Sequence, residues 1–170
     1  MNIGIIIIEA IIFALLFTVA VFIPTSSKER MNSAGNVHNY PPDIQEEYFR
    51  THERFEVSYK SKKVILTKSI GVRIFALILV FCAYIAGART FQQGFWLAFG
   101  LMVWIGCYDT FFIDWILFAN MKRFRLEGTE HMDKEYHQKW FHVKGMIFPG
   151  LIFALIPAGL VGLIISLISR

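Results

Sequence analysis

Cysteine and charge are both scarce in this chain. Its 170 residues hold two cysteines, Cys82 and Cys107, each inside an apolar run. No disulfide framework is therefore available, and the two thiols read as small buried hydrophobes. Charged residues make up 18% of the sequence, against about a quarter in an ordinary soluble domain. No HExxH pattern and no distinctive nucleophile occurs, so neither a zinc-protease centre nor a cofactor is expected. What the chain has instead is 55% hydrophobic residues, 17 of them Phe. That balance excludes disordered, collagenous and disulfide-stapled classes and points to an all-α polytopic membrane protein.

A helix needs roughly 20 residues to cross about 30 Å of hydrocarbon at about 1.5 Å per residue. Four apolar stretches meet that length: residues 3–23, 70–88, 94–119 and 146–168. The first lacks a basic leader and exceeds the usual signal-peptide core, so it reads as an uncleaved span. The segments 24–69 and 120–145 between spans carry fourteen of the 17 basic residues. By the positive-inside rule both segments are cytoplasmic, both ends of the chain lie outside, and the whole is a single multi-pass domain of the plasma membrane. The net charge of +4 follows from the same bias and calls for no nucleic acid.

In the first cytoplasmic segment Pro41 and Pro42 predict a helix beginning near Pro42, with Asp43 and Glu46 at its positive end. Ile44, Tyr48 and Phe55 form one narrow apolar stripe on it, suited to lying on the membrane surface. Lys60, Lys62 and Lys63 precede the second span as interfacial anchors able to meet anionic lipid headgroups. In the second segment Met132, Tyr136 and Trp140 repeat every four residues, which makes Tyr136 and Trp140 interfacial candidates as well. His131, Glu135 and His142 would share one face of a continuous helix and are the candidate metal ligands.

Ionisable residues inside a span cost about 2.5–3.5 kcal/mol on insertion scales, so they usually pair or serve a function. Arg73 and Asp114 sit at similar depth on neighbouring antiparallel spans and are expected to form a structural ion pair. Asp109 lies deeper, and at about 100° per residue it falls about 140° around the helix from Asp114, so the two should not share a partner. Asp109 and Glu9, the latter about six residues from the outer end of its span, are the intramembrane candidates for function. In the fourth span Pro149 and Pro157 can interrupt the helix, and Gly150, Gly159 and Gly162 permit close packing.

The run Tyr108-Asp109-Thr110-Phe111-Phe112-Ile113-Asp114-Trp115, then Glu127-Gly128-Thr129-Glu130, then His142-Val143-Lys144-Gly145, resembles a family of uncharacterised bacterial four-span integral membrane proteins. That family carries a Pro where this chain has Glu127. The resemblance implies a bacterial membrane location and brings no activity with it. Three functions compete on the sequence. The first is a non-enzymatic membrane component or accessory subunit, pairing with itself or with another membrane protein. The second is a small carboxylate-coupled transporter using Glu9 or Asp109. The third is a membrane-surface enzyme acting on lipid through the cytoplasmic histidines.

Overall fold

The computed structural model describes residues 1–23, 32, 34–54 and 62–169, and no strand occurs among them. The helices are α1 (Ile3–Phe22), α2 (Ala34–Val37), α3 (Pro42–Thr51), α4 (Lys62–Ile85), α5 (Phe91–Tyr108), α6 (Asp133–Tyr136), α7 (Lys139–Gly145) and α8 (Leu151–Ile168). After Tyr108 the α5 helix continues as a wider turn with i→i+5 hydrogen bonds over Asp109–Phe118. Three helical runs are long and apolar enough to cross a membrane: Ile3–Phe22, Phe91–Phe118 and the one ending at Ile168; Ser69–Ile85 is a shorter apolar helix. Phe55 and Lys60 lie outside the described residues, as do the side chains of Lys62 and Lys63.

The chain divides into two compact units. The first comprises residues 1–15, 58–107 and 146–170. Its core gathers Phe13 of α1, Leu79 and Ala83 of α4, Leu97, Ala98 and Leu101 of α5, and Ala158, Val161 and Ile165 of α8. Small residues set how closely these helices approach. A Cβ on Gly162 would lie 2.9 Å from the Phe91 ring and carbonyl, and one on Gly94 would lie 3.1 Å from Ile165. Gly159, by contrast, faces open space.

The connection between α4 and α5 shows local sequence dictating structure. Gly87 takes φ +86°, Ala88 N–H donates to the Ala83 carbonyl and Gly87 N–H to the Tyr84 carbonyl. This is a Schellman ending, whose left-handed residue favours glycine. Arg89 closes the helix end further by donating to the Tyr84 and Ala88 carbonyls. Thr90 and Gln93 then open α5 as a reciprocal capping box, with Gln93 N–H donating to Thr90 Oγ1 and Thr90 N–H to Gln93 Oε1.

In the fourth apolar stretch the helix breaks at Phe148, whose φ of −137° and ψ of 117° are extended. The residue before a proline is pushed out of the helical region, which accounts for the break ahead of Pro149. Pro157 is instead absorbed within α8.

The second unit comprises residues 16–57 and 108–145. Its core joins Val37 and Tyr40 to Ile44 and Tyr48 of α3, and to Phe118, Phe124, Leu126 and Tyr136. The helix expected at Pro42 is present, with Pro42 in its first turn. Its apolar stripe, however, is not laid on a bilayer: Ile44 and Tyr48 are buried in protein.

The tight approach at Gly162 yields a direct test. Gly162→Ala should lower unfolding stability in detergent by about 1–3 kcal/mol, because overpacking forces the Phe91 backbone and ring to move. Gly159→Ala should leave the same melting curve unchanged or raise it slightly.

Candidate functional site

Two polar centres lie in the second unit. One is built on the wide-turn segment Asp109–Phe118. In an ordinary helix residues five apart diverge, but i→i+5 hydrogen bonding stacks them on one side. The Ala119 N–H donates to the Asp114 carbonyl in that pattern. Asp109 and Asp114 are thereby brought toward one side of the helix, correcting the expectation of a 140° separation, which assumed an α-helical period throughout.

Asp114 is partnered by His142 rather than by Arg73. His142 Nδ1 lies 2.8 Å from Asp114 Oδ2, with the two side chains 9% and 18% exposed. Arg73 has an exposed side chain on α4 and forms no ion pair among the described residues. The imidazole is edged by the rings of Phe118 and Phe141, and its Nε2 is buried without a hydrogen-bond partner. Trp115 Nε1 donates to the Lys139 carbonyl, and Lys139 Nζ sits 5.1 Å over the Trp115 ring. These contacts tie α7 to the wide-turn segment. At the start of that segment the Tyr108 and Thr18 hydroxyls are 2.8 Å apart.

His131, Glu135 and His142 are not gathered into a metal centre, and no group of three His, Cys, Asp or Glu among the described residues could hold a metal. The expected shared face required one continuous helix. The chain instead forms a single turn at α6, leaves helical geometry at His137, and restarts at Lys139.

The second centre surrounds Tyr136, which is buried at 1% exposure and so is not an interfacial anchor. Trp140 is 73% exposed. Thr129 Oγ1 donates to the Leu126 carbonyl at 2.9 Å, which uses its single proton. The Tyr136 hydroxyl therefore donates to Thr129 Oγ1 at 2.7 Å and accepts from Leu126 N–H at 2.9 Å. Thr129 N–H closes a turn onto the Leu126 carbonyl, with Gly128 at φ +81°. A type II turn requires that left-handed glycine at its third position and favours proline at its second, where Glu127 stands. The Arg125 guanidinium lies 3.8 Å from the Tyr136 ring centroid and donates to the Ala119 carbonyl and to Asp133 Oδ1.

This network was not expected from sequence. Its cue is the Gly-Thr pair after Arg125, together with a tyrosine seven residues on. Tyr40, whose hydroxyl donates to the Phe124 carbonyl at 2.9 Å, meets the Tyr136 ring edge-on at 5.9 Å. Burial raises the pKa of both phenols, and for Tyr40 the neighbouring Tyr136 adds to the effect.

In the first unit Glu9 is buried on α1. It accepts a hydrogen bond from the Cys82 thiol, while its Oε2 has no partner among the described residues.

No protein-family model, curated protein or solved structure matches the chain.

Two outcomes follow for the Tyr136 centre. Tyr136→Phe should cost about 1–3 kcal/mol, measured by unfolding, because Leu126 N–H and Thr129 Oγ1 lose a buried partner. The raised phenol pKa values make stability complete below the unfolded tyrosine value of about 10 and declining as pH rises above it. A thermal-melting series across that range should show the decline, and Tyr40→Phe should reduce it.

Proposed function

We propose that this chain is a non-enzymatic, four-span integral membrane component of the plasma membrane, and that its working chemistry is reversible proton binding at Asp109, Asp114 and His142. Ser69–Ile85, extended by the rest of α4, supplies the remaining span. The distribution of basic residues then puts segments 24–69 and 120–145 in the cytoplasm and both ends of the chain outside. The observation carrying the proton-binding reading is the Asp114–His142 pair, 2.8 Å apart and largely buried, with Asp109 on the same wide-turn segment as Asp114.

The chemistry follows from charge. Two carboxyl groups brought to one side of a helix, one of them held by His142, share one proton more readily than they carry two like charges. Lys139, Trp140 and Lys144 are exposed and suit contact with anionic headgroups at the inner face.

Carboxylate-coupled carriage of an ion is the second reading. It is favoured by Glu9, buried with one carboxylate oxygen unpartnered. Proton-driven uptake into vesicles would be its signature.

Infrared titration of the full chain in phospholipid bilayers tests the proton-binding reading. A protonated-carboxyl C=O band should fade as pH rises, and Asp109→Asn should remove that component. The same titrating band surviving in both Asp109→Asn and Asp114→Asn would overturn the assignment.

A further inference from the structure

The wide-turn segment and the carboxylate pair coincide. Asp109 is the first residue of the Asp109–Phe118 stretch and Asp114 its sixth. Helices with i→i+5 bonding are rare and are found mostly as single turns, frequently at functional sites. Here the stretch runs for 10 residues and brings two like-charged groups toward one side. An α-helical backbone over the same residues would swing them about 140° apart. The backbone form that is intrinsically favoured is thus the one that separates the carboxylates, and the form observed is the one that brings them together.

We propose that Asp109 and Asp114, with His142, constitute a binding site for one exchangeable proton, and that loss of this proton converts the segment Asp109–Phe118 from i→i+5 to α-helical bonding. The proposal rests on the proton-binding reading above and adds to it a mechanical consequence. With the proton bound, Asp109 is the neutral acid beside the carboxyl group that His142 holds. When Asp109 releases its proton to water, two carboxylates stand on one side of a helix. Their repulsion is relieved by the α form. A one-residue change of register turns the following residues by about 100°, and Trp115 lies within the part that turns.

The groups around the site are few. The α7 helix contributes His142, and also Lys139, whose ammonium packs over Trp115. Within its own segment Asp109 shares a side of the helix with Asp114, and the adjacent Tyr108 hydroxyl is paired with Thr18 of α1. Phe118 and Phe141 cover the imidazole with apolar surface. The Nε2 of His142 is buried in the same site without a hydrogen-bond partner among the described residues.

The test uses the full chain in lipid nanodiscs, uniformly labelled with 5-fluorotryptophan, with the Trp115 fluorine resonance identified by its loss in Trp115→Phe. Between about pH 5 and about pH 9 the Trp115 resonance should move from one position to another, while those of Trp96 and Trp104 stay fixed. Asp109→Asn, which cannot lose the proton, should hold the Trp115 resonance at its low-pH position throughout. Asp109→Glu, which keeps the acid one methylene further out, should retain the transition with a displaced midpoint and also guards against misfolding in the asparagine variant. A Trp115 resonance that does not move in the wild type, while the infrared carboxyl band still titrates, would overturn the conformational switch and leave the proton site standing. Absence of both changes would overturn the switch together with the reading beneath it. A transition that requires sodium or potassium at constant pH would overturn the proton as the ligand.

Discussion

The Asp114–His142 pair is the constraint on which the chemistry of the second unit depends. An ionised side chain removed from water destabilises a fold unless an opposite charge or hydrogen bonds replace the lost solvation. Asp114 and His142 supply this to each other at 2.8 Å, and in doing so they bind the wide-turn segment to α7. Trp115 reinforces the join by donating to the Lys139 backbone. Asp109 is drawn into the same electrostatic group by the segment's unusual period. A second polar network around Tyr136, Thr129 and Arg125 braces the same unit and leaves neither the Tyr136 nor the Thr129 hydroxyl without a partner.

These two centres differ in what they can do. In the tyrosine centre each hydroxyl proton has an acceptor, and the guanidinium lies over an aromatic face with its Nη1 buried and unpartnered among the described residues. Such networks rigidify. In the carboxylate–imidazole centre, Asp109 makes no ion pair of its own and one imidazole nitrogen is unpartnered. The proposed proton binding is placed there and not at Tyr136.

Much of the architecture was legible in the sequence because it depends on local rules. Apolar run length marked the long helices, and the Pro41-Pro42 pair marked the start of α3. What escaped depends on departures from an ideal helix or on contacts distant in sequence. The separation of Asp109 from Asp114 presumed 3.6 residues per turn, and the wide-turn segment does not obey it. Nothing between Asp114 and His142 signals that residues 28 apart will meet, and the apparent alternative partner, Arg73, remained exposed on α4. Tyr136 matched the spacing of an interfacial stripe, yet the helix that spacing implied ends after one turn. Asp114, Trp115, Gly128, Thr129 and His142 each occupy a defined position in the second unit, as ion-pair partner, indole donor, turn glycine or network hydroxyl. Their spacing reflected three-dimensional contacts, but one sequence could not reveal which residue met which.

A double-mutant cycle on Asp114→Asn and His142→Gln, measured by reversible unfolding in detergent, tests the central claim most directly. The account predicts that the two substitutions are strongly non-additive, with a coupling of at least about 1 kcal/mol, as expected for a buried pair in direct contact. Additive effects within about 0.5 kcal/mol would contradict it, because the two side chains would then not be partners.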